Sequence, residues 1–235
     1  MNMKARSLDC KNQTQCWHRP TIAPTPSEFP GRSRQIQTQS DQRLRACVKL
    51  KAQAGDYRHA IALLTQLIDR NPTSAIDYNN RGLIYFQSGE LDKALADYNT
   101  ALQLNPNLDS AYNNRANYYA AIGRLEDAIA DYEIALDLNP TNIRAWINQG
   151  ITLRDLGLYD EALDSFDFVL HLGQFAGHIY AERGRTHHLQ GDWNCAIADY
   201  QRALTHLSQS QEAVRLRVQV ETWMSQLLSP LSLEC

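Results

Sequence analysis

Long apolar runs are missing from this sequence. Hydrophobic residues make up 43% of its 235 positions, yet no stretch approaches the ~18 consecutive apolar residues that span a bilayer. The basic residues near the start are followed by no apolar segment, so a secretory signal is not expected. Cysteine is sparse, with five residues (Cys10, Cys16, Cys47, Cys195, Cys235), odd in number and scattered. That usage excludes a disulfide framework and fits a reducing compartment, and the expected location is cytoplasmic. Also missing are a phosphate-cradling glycine loop, an HExxH pair and a GxSxG elbow, so neither an enzyme nor a cofactor is expected. Cys10, Cys16 and His18 lie close together, but the cysteine spacing is wide for zinc and no fourth ligand is near, so no metal is expected either. His187 and His188 stand beside no recognisable nucleophile, and Cys195 reads as a packing residue at a helix start.

Charge is unevenly distributed. Residues 1–40 hold six Lys/Arg against two Asp/Glu and four of the eight prolines, inside a chain of net charge −3. With little apolar periodicity, this segment reads as a basic, disordered or loosely draped tail. From Asp41 onward the sequence repeats itself every 34 residues: "YNNRG" at Tyr78–Gly82 returns as "YNNRA" at Tyr112–Ala116, "WINQG" at Trp146–Gly150 and "YAERG" at Tyr180–Gly184. With repeats starting at Asp41, Ala75, Asp109, Ile143 and Gly177, glycine occupies the fifteenth place of all five (Gly55, Gly89, Gly123, Gly157, Gly191). Alanine occupies the twentieth (Ala60, Ala94, Ala128, Ala162, Ala196), and the twenty-fourth is large (Leu64, Tyr98, Tyr132, Phe166, Tyr200). Within a repeat, Tyr78, Gly82 and Tyr85 make one helical stripe and Ala94, Tyr98 and Ala101 a second. Gly89 permits the turn between them and Asn105-Pro106 ends the second helix. One such hairpin cannot cover its own apolar face and must stack on neighbours.

This pattern resembles the tetratricopeptide repeat family over about residues 41–207. The resemblance implies an all-α, right-handed superhelical α-solenoid of helical hairpins (41–74, 75–108, 109–142, 143–176, 177–207) whose first helices line a concave groove. Residues 208–229, with Ala213, Leu216, Val220, Trp223 and Leu227 on one stripe and Ser208 or Ser210 before them, read as a capping helix followed by a tail over 230–235. Relatives that clamp a chaperone's terminal carboxylate are matched only at Asn114 and Arg144, so that role is not expected.

Inside the repeated word, the arginine has a structural reading. Sixteen residues after Arg81, Arg115 and Arg183 stand Asp97, Asp131 and Asp199. Where Gln149 replaces arginine, Ser165 replaces aspartate, and the first repeat holds Cys47 and Leu63. Partners that change together predict an ion pair between the two helices of a hairpin. The asparagines read as a binding ladder, because a carboxamide both donates and accepts and can grip a peptide backbone. The candidate groove residues are Asn79, Asn80, Asn113, Asn114, Asn117 and Asn148, with apolar Leu83, Phe86, Ile147 and Ile151 between them. Arg45, Lys49, Arg144, Arg154, Arg185, His178 and His188 add basic character against Asp155 alone, whereas the second helices are rich in Asp and Glu.

The expected function is a protein–protein interaction module, an adaptor, scaffold or assembly factor. Its groove is expected to take an extended or helical peptide segment that is acidic with apolar anchors. RNA binding through the groove and tail is the alternative. No DNA partner is expected, and self-association through the tail around Trp17 remains open.

Overall fold

The computed structural model describes residues 30–173, 175–207 and 210–228. They form eleven helices and, among the described residues, no strand. In order these are α1 (Pro30–Gln53), α2 (Tyr57–Arg70), α3 (Ala75–Gln87), α4 (Leu91–Leu104), α5 (Asp109–Ala121), α6 (Leu125–Leu138), α7 (Ile143–Asp155), α8 (Tyr159–His171), α9 (Ala176–Gln190), α10 (Trp193–His206) and α11 (Gln211–Leu228). The chain divides into Met1–Ser40 and Asp41–Cys235, and the second unit is an α-solenoid of five hairpins and a terminal helix. The tail reading fails for residues 30–40, which are helical: Pro30 opens α1 in the position where its missing N–H costs nothing. Residues 1–29, including Trp17 and the Cys10–His18 cluster, lie outside the described residues.

The turn inside every hairpin is set by its glycine, with φ of +72° to +91° at Gly55, Gly89, Gly123, Gly157 and Gly191. A Cβ added at Gly123 meets nothing within 4 Å. Gly123→Ala is therefore expected to cost only the left-handed backbone penalty, about 1 kcal/mol, read as a shift in the urea midpoint with unchanged slope. Between hairpins, Asn71, Asn105 and Asn139 turn to φ near −140° before their prolines, the extended conformation that a following proline imposes. The last two hairpins lack that proline, and α8 leads instead through Gly173 and Phe175, both at positive φ.

Packing inside each hairpin follows from two pairs of places. The five alanines at the twentieth place are fully buried, letting the second helix lie close against its partner. The eighth and twenty-fourth places are complementary in volume. Gly82, Gly150 and Gly184 each lie against the ring of Tyr98, Phe166 or Tyr200, where an added Cβ would sit 2.8 Å from ring carbon. In the first hairpin Val48 fills the small place and Leu64 the large one, within one cluster. Small opposite large, every time.

The arginine–aspartate pairs form as expected. Arg81 donates Nε and Nη2 to the two carboxylate oxygens of Asp97 at 2.7 and 2.9 Å. Arg115 does so to Asp131 at 2.7 and 2.8 Å, and Arg183 to Asp199 at 2.6 and 2.8 Å. Each guanidinium uses its remaining Nη1 on the preceding hairpin's second helix: Arg81 on Thr65 at 3.1 Å, Arg115 on Asn99 at 2.8 Å and Arg183 on Asp167. Arginine's planar fork suits it to this triple role. Hydrogen bonding to the aspartate is the main cause that raises each arginine's pKa, and burial opposes it.

Helix α11 covers the last hairpin. Ser210 Oγ accepts from the Ala213 N–H at 3.2 Å, capping the helix. Val220 is fully buried beside Tyr200, with Leu216, Trp223 and Leu227 around it. Arg217 donates to the carbonyls of Leu204 and Leu207 at the end of α10.

Candidate functional site

The first helices of successive hairpins, α1, α3, α5, α7 and α9, carry every candidate groove residue. Asn114 donates to the Asn79 carbonyl oxygen at 3.0 Å. Asn148 donates to Asn117 Oδ1 at 2.9 Å, which also accepts from the Tyr132 hydroxyl at 2.6 Å. Asparagines thus join neighbouring first helices to one another, and part of the predicted set is turned inward. Asn79 and Asn113 are buried at 4% and 8% exposure, which removes them from the solvent-facing set predicted from the helical wheel. The next first helix packs over them, a neighbour that a single-helix projection omits. Asn80, Asn114, Asn117 and Asn148 remain half-buried. Each carboxamide carries two N–H donors, and Asn148 uses one on Asn117.

Two of the predicted free cations are instead partners of buried acids. Arg45 makes a bidentate pair with Asp77 at 2.9 and 2.7 Å, and Asp77 is fully buried. Burial pushes the Asp77 carboxyl up, but the Arg45 and Ser74 hydrogen bonds together outweigh it and hold the group below the usual carboxylate range. Arg154 pairs with Glu182 at 2.6 Å, both side chains being nearly buried. The expectation that Asp155 alone offsets the basic residues is therefore corrected: Asp77 and Glu182 neutralise Arg45 and Arg154. Lys49, Arg144 and His178 are exposed, and Arg185 is half-buried with its guanidinium 5.2 Å from the Trp223 ring centroid. His188 Nδ1 lies 3.2 Å from the Tyr200 hydroxyl and 3.3 Å from Arg185 Nη1. Burial, and then the Arg185 charge, lower its pKa, so the ring is neutral near pH 7. Burial pushes the Tyr200 phenol up to about 12.

The apolar candidates divide in the same way. Leu83, Phe86, Ile147 and Ile151 are half-buried, Phe86 standing edge-on to Tyr118 with ring centroids 6.5 Å apart. Ile147 and Ile151 also pack against the cluster around Phe166. Ile76, at the start of α3, is 56% exposed. Beside His178 a cleft of about 850 Å³ opens between the start of α9 and α11, lined also by Phe175, Glu182, His206, Arg215 and Leu216.

At the turn of the fifth hairpin, Cys195 departs from its packing role. Ala196 takes the buried place and Cys195 is exposed. Its N–H donates to Asp192 Oδ1 at 3.1 Å, and hydrogen bonding to Asp192 pushes the thiol pKa up. His187 completes this corner, its Nδ1 buried with no hydrogen-bond partner. No described helix is long and apolar enough to cross a membrane.

Family models described as tetratricopeptide repeat match residues 75–108, 110–142 and 132–164. No curated protein matches the chain. Among solved structures, PilW, described as a widely conserved type IV pilus biogenesis factor, superposes with a TM-score of 0.69 at 20% identity, covering 80% of this chain and 89% of that one. A thermophilic tetratricopeptide repeat protein of Thermus thermophilus gives 0.66 at 21% identity, covering 78% and 98%. MamA gives 0.59 at 18% identity, covering 73% and 96%. At these identities the likeness is one of fold.

Proposed function

Because this chain is a tetratricopeptide repeat protein, an interaction scaffold, we propose that its first-helix face holds a segment of another protein in the manner of an adaptor or assembly factor. The observation that carries this reading is the surface left on that face after the internal bonds are counted. Exposed Ile76 and half-buried Leu83 and Phe86 offer apolar ground beside the half-buried amides of Asn80, Asn114 and Asn148. Lys49, Arg144 and His178 add exposed basic groups. A segment with apolar anchors and one or two acidic residues fits that surface. Amides satisfy its backbone at a net ~1 kcal/mol per hydrogen bond, so the anchors supply most of the affinity.

The test is selection from a random peptide library on the full chain, repeated with Arg144→Glu. Arg144 makes no ion pair among the described residues, so its reversal perturbs recognition rather than folding. Selected peptides are expected to be enriched in Asp or Glu with apolar residues. Arg144→Glu is expected to weaken them about tenfold, roughly 1.4 kcal/mol, while Glu133→Lys on the outside of α6 leaves them unchanged. Peptides that ignore Arg144 and respond to Glu133 would place binding on the second-helix side.

A further inference from the structure

We propose that His187, Asp192 and Cys195, at the turn of the fifth hairpin, form a binding site for a zinc-type divalent cation. One nitrogen, one carboxylate oxygen and one sulfur from these residues lie within 4.8 Å of one another. Two ligands of a tetrahedral zinc stand roughly 3.3–3.8 Å apart, given metal–ligand lengths of about 2.0–2.3 Å. Side-chain rotation of about 1 Å therefore closes the set around one ion.

The other hairpins show what this corner does. The three residues occupy the eleventh, sixteenth and nineteenth places of the repeat, which the glycine turn brings together in each copy. In the first hairpin these places hold Lys51, Asp56 and His59, with Lys51 Nζ 3.0 Å and His59 Nδ1 2.6 Å from the Asp56 carboxylate. In the second, Lys93 pairs with Glu90 at 2.6 Å and lies 5.4 Å from the Tyr85 ring centroid. In the third, Arg124 pairs with Asp127 at 2.7 Å, its guanidinium 4.8 Å from the Tyr119 ring centroid. Each of these corners sets a lysine or arginine against an acid. The fourth, holding Leu153, Leu158 and Glu161, lacks both, and the fifth has neither residue at any of the three places. It keeps the acid and adds an imidazole and a thiol, the mixed N, O and S donors that suit zinc.

The imidazole is a second, independent sign. His187 takes the place that Tyr85, Tyr119 and Leu153 fill in other hairpins, and its Nδ1 is buried with no hydrogen-bond partner. A polar ring in an apolar place is costly unless its nitrogens are used. Asp192 is held in position by accepting from the Cys195 N–H through Oδ1, and a carboxylate has acceptor capacity for a cation besides. Asp192 and Cys195 are exposed, so an ion enters from solvent, and the fourth coordination place faces water. Binding requires the Cys195 thiolate, so the ion displaces the thiol proton into solvent.

The full chain, stripped with chelator and kept reduced, is titrated with cobalt(II) as a spectroscopic stand-in for zinc, then with zinc in competition. One equivalent is expected to bind with a thiolate-to-cobalt charge-transfer band that zinc abolishes. Cys195→Ser is expected to remove the band, and His187→Leu, which copies the fourth hairpin, to weaken binding at least tenfold with unchanged helical signal. Cys10→Ser/Cys16→Ser is expected to retain both band and affinity. A wild type without the band overturns the proposal. So does a band that survives Cys195→Ser, or one lost in Cys10→Ser/Cys16→Ser.

Discussion

Arg115→Ala is expected to destabilise the protein by about 3–5 kcal/mol, a large share of a typical stability of about 5–15 kcal/mol. The effect arises less from the lost attraction than from what stays behind. Asp131 is only 5% exposed, and without the guanidinium its carboxylate is buried and uncompensated. Asn99 loses its 2.8 Å donor in the same substitution. The fourth hairpin contains the control: Gln149 and Ser165 occupy these places, both buried, with the Ser165 hydroxyl donating to the Glu161 carbonyl at 3.0 Å. The double variant Arg115→Gln/Asp131→Ser removes both charges together and is expected to lie about 2 kcal/mol above the single alanine variant. Urea unfolding followed by circular dichroism measures both. A double variant no more stable than Arg115→Ala would mean that burial of an unpaired charge is not the dominant cost.

Gly150→Val is expected to cost about 3 kcal/mol, the upper part of the overpacking range. A Cβ there would lie 2.8 Å from a ring carbon of Phe166, which is fully buried and cannot swing away. Adding Phe166→Leu recreates the Val48–Leu64 pairing of the first hairpin and is expected to recover most of the loss. If the double variant is the less stable of the two, the eighth and twenty-fourth places are not coupled and the complementarity between them is coincidental. Thermal unfolding of the single and paired variants decides it.

What could be read from the sequence is what recurs. The turn glycines, the buried alanines and the Arg81–Asp97, Arg115–Asp131 and Arg183–Asp199 pairs each stand at one spacing several times over, so the chain supplies its own alignment. Contacts made once stay hidden. Arg45–Asp77 and Arg154–Glu182 join neighbouring hairpins at different places of the repeat, with no second copy to reveal them. Asn79 and Asn113 face outward on an isolated helix, and only the stacking of the next first helix buries them. The helical start at Pro30 leaves no mark in the sequence because residues 30–40 carry little apolar periodicity, and a proline opens helices as well as breaking them. The His187, Asp192 and Cys195 corner spans a glycine turn at unequal spacing. Its signal appears only when the same three places are compared with Lys51, Asp56 and His59 and their later equivalents.

The third bond of each arginine is a tie between stacked hairpins: Arg81 to Thr65, Arg115 to Asn99, Arg183 to Asp167. With Gln149 in the arginine's place, no such arginine tie runs from α7 back to α6 among the described residues. The first helices of the third and fourth hairpins stay joined there through Asn148 and Asn117. Apolar packing takes over at that seam, where Ala145 and Trp146 of α7 sit in the cluster around Ala128 and Tyr132 of α6, so this one junction of the stack holds without an arginine.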